Sequence, residues 1–293
     1  MATELEAADD ALEIYSGYEI PLSQSFVVAS AQKTKLVLVV GPVLAGKTTL
    51  ISRIFDKFHD GPIGDWGFAG SETIVGYENI LRSHRSKNVD KMPAVERTPI
   101  KRDPDLFHLS LRRKKEESLG VLLANLSGEM FMDLIQTEEA IGDLVYFKRA
   151  HHISILLDGE KLINKAGRAH ELRNANLFLE RLIKARYISE STTLSVVLAK
   201  TDVFRSSPNG KEYVAETLRK ISQDIIQPLI RSEINVVHEP IQVTAQPLSL
   251  CEGFEEVLDA WAQEFRMSRQ KSALKPVKST RMMDRYKAEK NES

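Results

Sequence analysis

The fold of this chain is decided by GPVLAGKTTL, residues 41–50. One glycine is followed by four residues and then by Gly-Lys-Thr, which is the spacing of a phosphate-binding loop. The preceding stretch, Lys35 to Val40, is a continuous aliphatic run, typical of a buried parallel strand. The following stretch, Thr49 to Phe58, places apolar residues at helical spacing. The sequence therefore predicts a strand, a loop and a helix, which is the context that phosphate binding requires.

This loop predicts a way of holding phosphate. Its glycines let the backbone turn so that N–H groups converge on one point, and the helix directs its positive end to the same point. Lys47 supplies a cation for the β- and γ-phosphates, and the Thr48 hydroxyl is a ligand for Mg²⁺. The predicted phosphate-binding residues are Gly41, Ala45, Gly46, Lys47, Thr48, Thr49 and Gly128.

The composition excludes several classes of protein. Among 293 residues, 40 basic and 41 acidic side chains nearly cancel, so no overall field favours nucleic acid or an anionic membrane. A single cysteine, Cys251, excludes an internal disulfide framework. No stretch approaches the roughly 18 apolar residues of a membrane span, and the acidic N-terminus is unlike a signal peptide. We therefore expect a cytoplasmic protein, with no membrane span and no clear nucleic-acid partner.

Aliphatic strands alternate with helical stretches along the chain. The predicted strands cover residues 35–40, 105–112, 120–124, 152–157, 194–198 and 234–243. The predicted helices cover residues 49–58, 137–149, 168–187, 211–233 (broken at Pro228) and 254–266. Strand 105–112 alternates polar and apolar residues, so we expect an edge strand with one wet face. The alternation predicts an α/β fold with a doubly wound, mostly parallel sheet, whose loops meet at the carboxyl ends of the strands.

Changes in composition divide the chain into three parts. We expect an N-terminal arm over residues 1–34, extended or forming a short hairpin, and a P-loop domain over residues 35–266. Within this domain, residues 59–104 form an insertion rich in glycine and proline, and a long ordered loop of this kind is usually functional. Residues 267–293 carry eight basic and three acidic side chains, which favours a solvated, disordered end over an interaction tail for an acidic partner.

The choice of base depends on residues 199–202, Ala-Lys-Thr-Asp, at the end of a predicted strand. They look like the base-specificity element of P-loop GTPases, usually Asn-Lys-x-Asp. The Asp202 carboxylate can accept hydrogen bonds from guanine N1–H and the 2-amino group, and the Lys200 stem can lie along the purine face. Thr244 and Ala245 end a later strand and resemble the element whose backbone N–H meets guanine O6. The predicted guanine-binding residues are Lys200, Asp202, Thr244 and Ala245.

Three positions depart from the usual pattern. Ala199 stands where Asn braces the loop against the P-loop, so we expect weaker affinity with unchanged base choice. Asn125 replaces the usual Asp of an Asp-x-x-Gly element, so it can orient a metal-bound water but brings no charge. Glu129 follows that element where many Ras-like GTPases carry the Gln that orients the attacking water. Its charge beside the γ-phosphate is unfavourable, and we predict slow intrinsic hydrolysis.

The first switch should supply a threonine that senses the γ-phosphate. We assign this role to Thr98, just before the predicted strand 105–112, with Thr73 as the rival. The predicted catalytic residues are Lys47, Glu129 and Thr98. The predicted metal-site residues are Thr48, Thr98 and, through water, Asn125.

The order of these segments resembles the translation-factor-related class of P-loop GTPases, with its Ras-like sheet. More narrowly, FAGSETIVGYE at 68–78, followed by NLSGEMF at 125–131, resembles the prokaryotic double-GTPase family. The resemblance extends from about Lys35 to Phe265. It implies GTP, GDP and Mg²⁺ as ligands, and a second GTPase or a GTPase-activating protein as partner.

Three functions are compatible with these features. The first is a regulatory GTPase switch with slow hydrolysis. The second is a GTP-binding interaction module that scarcely hydrolyses GTP, which Asn125 and the missing Gln favour. The third is an ATPase or small-molecule kinase on the same scaffold, which the identity of Asp202 disfavours.

Overall fold

The structure, a computed structural model, describes residues 17–86, 103–113, 116–137, 144–206, 210–245 and 251–263. Its strands are β1 (Ile20–Pro21), β2 (Thr34–Val40), β3 (Gly67–Gly70), β4 (Asp105–Arg112), β5 (Leu119–Asn125), β6 (His152–Asp158), β7 (Thr193–Ala199) and β8 (Ile241–Gln242). The helices α1 to α5 are Ser25–Ala31, Lys47–Lys57, Ile74–Ser86, Gly128–Gln136 and Gly159–Leu162. The helices α6 to α10 are Lys165–Lys184, Thr201–Ser206, Gly210–Ile221, Gln227–Arg231 and Phe254–Ala262.

These strands form one eight-stranded sheet in the order β1-β4-β5-β2-β6-β7-β8, with β3 also paired to β4. The pairs from β5 through β2, β6 and β7 to β8 are parallel. Strand β4 is antiparallel to β5, and β1 and β3 are antiparallel to β4. The predicted fold class, a mostly parallel sheet of P-loop NTPase architecture, is confirmed.

Helices cover both faces of the sheet. Along β2, Leu36, Leu38 and Val40 enter one core, together with side chains of α4, α6 and α8. Val37 and Val39 enter the other core, together with side chains of α2, α3 and α10. Burial on both faces explains why β2 is a continuous aliphatic run. Because the parallel strands point the same way, the loops after β2, β5, β6, β7 and β8 lie at one edge of the sheet.

Strand β4 has its predicted bounds, but the predicted wet edge was wrong. His108 and Ser110 are 1% and 7% exposed, and β1 and β3 pair with the outer side of the strand. The Gln32 side-chain amide contacts both polar side chains, at 3.1 Å from the Ser110 hydroxyl and 2.9 Å from His108 Nε2. Polar residues on this strand therefore signal an internal hydrogen-bond network and not solvent.

The helix predicted over residues 137–149 is tested only in part, because residues 138–143 lie outside the described part of the chain. Within the described part, Val145–Arg149 forms a short 3₁₀ helix and not an α-helix. An α-helix that we did not predict, α4, lies earlier and ends at Gln136. It begins directly after Ser127, whose side chain accepts the Met130 N–H at 3.0 Å.

The N-terminal and middle segments contain more regular structure than predicted. Residues 20–31 form β1 and α1, and Ile20 and Val28 enter the core, so the predicted extended arm or hairpin was wrong over these residues. The insertion contains β3 and the 13-residue helix α3, which we did not predict. Thr98 lies outside the described residues.

The last elements differ in length from the prediction. The strand expected over 234–243 is only Ile241–Gln242, with an isolated bridge between Val236 and Leu194. The helical region expected over 211–233 contains a π-helical turn, Ser222–Ile226, immediately before the helix that holds Pro228. None of the described helices has both the length and the apolar character that a membrane span needs.

Candidate functional site

The loop after β2 has a backbone that requires its glycines. Gly41 has a φ of +151°, and a Cβ there would lie 2.5 Å from the carbonyl oxygen of Leu156 on β6. Gly46 has a φ of +94° and is the N-cap of α2. An L side chain is strained at both positions, and at Gly41 it would also collide with the neighbouring strand. The loop is thereby held between the carboxyl end of β6 and the N-terminus of α2.

Lys47 is a buried cation above this loop. Lys47 is only 6% exposed, and its ammonium donates to the carbonyl oxygens of Gly41 and Pro42, both at 2.9 Å. Burial lowers the pKa of Lys47 to about 8; the negative charge of Glu129 opposes this shift and the positive charge of Lys161 adds to it. A phosphate bound next to Lys47 would therefore stabilise the protonated, charged form of this side chain.

Thr48 and Asn125 meet at the start of α2. The Asn125 Nδ2 donates to the Thr48 Oγ1 at 2.8 Å, because the register of β2 and β5 places Asn125 beside Val39. A threonine hydroxyl oxygen suits Mg²⁺, which prefers oxygen ligands and retains several waters. The residues present fit a magnesium ion that relies on nucleotide phosphates and water, since Asn125 brings an uncharged amide and not a carboxylate.

Residues 127–129 close over the phosphate-binding loop. A Cβ on Gly128 would lie 2.3 Å from the Val43 nitrogen, so only glycine permits this approach of the two loops. Glu129 follows in the first turn of α4, close enough for its charge to act on Lys47. The structure thus brings Lys47, Gly128 and Glu129 together, as the sequence predicts.

The two predicted guanine elements lie side by side. The Thr201 and Thr244 hydroxyls are 2.7 Å apart in a buried hydrogen bond, and the Thr201 N–H donates to the Val243 carbonyl at 3.3 Å. A Cβ built on Gly46 would lie 4.0 Å from the Ala199 Cβ, so the end of β7 is also next to the phosphate-binding loop. The predicted phosphate-binding and guanine-binding elements therefore lie next to each other at the carboxyl edge of the sheet.

Lys200 makes a contact that we did not predict. Its ammonium lies 2.9 Å from the Oδ1 of Asp158, the last residue of β6, and 3.2 Å from the Oε2 of Glu160 in α5. The sequence signal for this contact is that a charged residue ends β6 and another directly follows β7, with Asp158 aligned beside Ala199. Spacing along the chain does not reveal that pairing, because it depends on the register of two strands.

Thr73, the rival candidate for the first switch, is occupied elsewhere. It is fully buried, and its hydroxyl accepts the His108 N–H of β4 at 2.9 Å. Ser71 donates to the carbonyl of His108 from the same turn at 2.5 Å. These hydrogen bonds connect the start of α3 to β4, so Thr73 has a structural role. Thr98 is then the remaining candidate for the threonine that senses the γ-phosphate.

Comparison with known proteins identifies a family. The family model described as Double-GTPase 2 matches residues 35–262. No curated protein matches the chain.

Among solved structures, a bacterial selenocysteine-specific elongation factor EF-Sec matches at 16% identity over 78% of this chain, with a TM-score of 0.39. This chain spans only 28% of that elongation factor chain. A signal recognition particle receptor SRb-GTP/SRX complex from Chaetomium thermophilum matches at 16% identity and a TM-score of 0.38, covering 73% of this chain and 92% of the other.

Proposed function

This chain belongs to the Double-GTPase 2 family, and we propose that it binds GTP and GDP with Mg²⁺ and acts as a slow GTPase switch. One observation supports the proposal: the loop that buries Lys47 lies against Ala199, the last residue of β7, and Lys200 and Asp202 follow directly in the chain. A nucleotide with its phosphates on the loop would thus have its base beside these two residues. The family membership supports guanine as that base.

Each group has a chemical task in this proposal. Lys47 exchanges its two carbonyl contacts for phosphate oxygens, and the N-terminus of α2 adds its backbone N–H groups. Thr48 would hold a magnesium ion, which would supply positive charge to neutralise the phosphates. Asp202 accepts the two guanine hydrogen bonds, and the Thr201–Thr244 bond keeps the two base-binding elements together.

The environment of the γ-phosphate supports slow turnover. Asn125 donates its amide to Thr48 and adds no charge, while Glu129 places a carboxylate near Lys47. A negative group close to the γ-phosphate opposes the charge that gathers there in the transition state. We therefore propose that rapid hydrolysis depends on a protein partner, either a second GTPase or an activating protein, in the cytoplasm where GTP and Mg²⁺ are plentiful.

The second candidate function is a GTP-binding interaction module without appreciable hydrolysis. The Asn125–Thr48 hydrogen bond favours it, because a donor amide faces the hydroxyl where an acidic residue is usual. Stoichiometric, unhydrolysed GTP recovered from the protein would support this module over the switch. Turnover above background with a candidate activator would support the switch.

Calorimetric titration of nucleotide-free protein with GTP, GDP and ATP, with and without Mg²⁺, tests the proposal. We expect tight binding of both guanine nucleotides, a stronger GTP interaction with Mg²⁺, and weak ATP binding. Equal binding of ATP and GTP would contradict the assignment of Asp202. In that case the protein would be a P-loop NTPase without an assigned base preference.

Replacing Asp202 by Asn tests base choice independently. Asn offers a donor where the carboxylate accepts, so preference should move from GTP toward xanthosine triphosphate. An unchanged ratio of the two affinities would mean that Asp202 does not contact the base.

A further inference from the structure

We infer that Asp158 is a positioning residue for the guanine base, because it holds the Lys200 side chain across the end of the sheet. This inference rests on the proposed guanine site, which it extends by a residue on a different strand. Asp158 touches neither base nor phosphate in this arrangement. It acts only through Lys200.

The first step is the placement of the two residues. Strands β6 and β7 are parallel, and Asp158 aligns with Ala199. Lys200 follows directly, and its ammonium returns to the Asp158 Oδ1 at 2.9 Å. The lysine stem therefore runs between the ends of two neighbouring strands, and the charged end is anchored on β6.

The second step is burial. Asp158 is 2% exposed, and a buried carboxylate requires a hydrogen-bonded counter-charge. Its Oδ1 accepts the Glu160 N–H at 3.1 Å as well as the lysine ammonium, so it caps α5 and pairs with Lys200 at once. The pair therefore has a fixed geometry and is not a mobile surface contact.

The third step is conformational freedom. A lysine that stacks on a base from solution must give up its rotamer freedom on binding. Here the Lys200 side chain is already restrained and 28% exposed, so part of that entropy is lost before nucleotide arrives. Restraining a binding group in its bound conformation increases affinity.

The fourth step is the sequence around Lys200. Its φ of +56° is a left-handed conformation that is unfavourable for a residue with a Cβ. Ala199 brings a methyl group where an Asn would brace the loop by hydrogen bonds. The Asp158–Lys200 pair supplies a polar link to the neighbouring strand one residue later. We infer that it takes over part of that bracing.

Lys200 has a second carboxylate partner, Glu160, and the two ion pairs differ in exposure. Its side chain is 62% exposed, 3.2 Å from the Lys200 ammonium, so solvent screens the interaction. Lys200 thus contacts two carboxylates, the buried one of Asp158 and the exposed one of Glu160. The inference assigns the positioning role to the buried one.

The test compares GDP with inorganic tripolyphosphate in calorimetric titrations of the full chain. We expect Asp158→Asn to weaken GDP binding by about ten-fold, the lower end of the cost of losing a partner behind a ligand-binding side chain. Tripolyphosphate, which has no base, should change by less than about two-fold because it does not reach Lys200. Asn keeps an acceptor for the Glu160 N–H, so the start of α5 is preserved.

Two controls accompany this variant. Asp56→Asn removes the charge of another buried aspartate, which pairs with Arg53 at 2.8 Å near the far end of α2. This substitution should leave the affinities for GDP and tripolyphosphate unchanged. Glu160→Gln should change GDP binding by less than about two-fold, as expected for an exposed pair. Lys200→Met and the double variant complete a cycle, in which Asp158→Asn should have no further effect once Lys200 is replaced.

The outcomes distinguish this inference from the proposed function. If the unaltered chain does not prefer GDP to ADP, the guanine site and the role of Asp158 are both overturned. If it does prefer GDP and Asp158→Asn leaves GDP binding unchanged, or weakens both ligands equally, only the positioning role is overturned. An additive cycle would overturn it too, because Asp158 would then act independently of Lys200.

Discussion

At the scale of single residues, Lys47 is a buried cation whose charge depends on what its ammonium contacts. Two carbonyl oxygens receive its ammonium, and burial lowers the pKa of Lys47 to about 8. Carbonyl dipoles compensate only part of the lost hydration of a buried cation. A phosphate group carries full negative charge, so nucleotide binding should raise this pKa again.

The first prediction is that GDP binding takes up protons near pH 8. Free Lys47 is half neutral at its pKa of about 8 and fully charged against phosphate, so uptake should rise from near zero at pH 7 to about half a proton at pH 8. Calorimetry in two buffers with different ionisation enthalpies measures it. Uptake that stays constant between pH 7 and pH 8 would mean that phosphate does not contact Lys47.

The second prediction concerns Glu129. Glu129→Gln removes a negative charge near the γ-phosphate and restores the side chain that orients water in Ras-like GTPases, so single-turnover GTP hydrolysis should accelerate by about ten-fold. Glu180→Gln, on the exposed face of α6, is the matched control and should leave the rate unchanged. Slower hydrolysis by Glu129→Gln would show instead that the carboxylate itself orients or deprotonates the attacking water.

At the scale of elements, α3 connects the insertion to the rest of the fold. Its Tyr77 ring stacks on Phe55 of α2 with centroids 4.3 Å apart, and Thr73 holds its first turn on β4. The His108 Nδ1 accepts the Glu72 N–H at 3.0 Å at the same turn. The helix next to the candidate switch is thus fixed at its start by β4 and along its length by α2.

The third prediction separates the two threonine candidates. Thr73→Val removes the hydroxyl that accepts the His108 N–H, so it should lower stability by about 1–3 kcal/mol and change GTP and GDP affinity equally. Thr98→Val should weaken GTP with Mg²⁺ and spare GDP, since only GTP carries the γ-phosphate. Urea unfolding and nucleotide titration of both variants measure this. A selective loss of GTP binding in Thr73→Val would reverse the assignment.

The fourth prediction uses His108. Burial lowers the pKa of His108 to about 4, from 6.5, because a buried site disfavours the charged form of the ring. As the pH falls below 6.5, His108 is protonated in the unfolded chain, but in the folded chain it stays neutral until about pH 4. The free energy of unfolding therefore falls by about 3 kcal/mol between pH 6.5 and pH 4. His108→Gln should lose this part of the pH dependence. Parallel curves for the two proteins would contradict it.

At the scale of the whole molecule, α10 completes the sheet's second face. Trp261 is 1% exposed, and its indole N–H donates to the Ser154 hydroxyl of β6 at 2.9 Å. Lys35, at the start of β2, donates to the carbonyls of Ala262 and Gln263 at the end of the helix, at 2.7 and 2.6 Å. The last described helix is therefore joined to the two central strands of the sheet.

The fifth prediction follows from this closure. Trp261→Ala leaves a large cavity and removes the indole hydrogen bond to Ser154, so the free energy of unfolding in urea should fall by about 3–5 kcal/mol. Phe26→Ala is the control: Phe26 is 67% exposed, and its loss should cost no more than about 0.5 kcal/mol. Equal effects of the two substitutions would mean that α10 does not close the core.

Features that depend on residues close together in the chain could be predicted from the sequence. Glycines at positions 41 and 46 predict a loop with backbone angles that other residues rarely adopt. The aliphatic run before them predicts a strand that is buried on both faces. The order of strand ends then predicts which loops share the crevice, because parallel strands point the same way. These signals yielded the fold class and the phosphate and base elements.

Contacts between segments that are distant in the chain could be seen only in the folded protein. The pairing of Lys200 with Asp158, the burial of His108 under β1 and β3, and the docking of α1 and α3 all depend on register and packing. Local periodicity describes which residues avoid water, but it does not say which strand or helix covers them. For that reason polar residues on β4 suggested a wet edge, whereas the folded chain satisfies them internally.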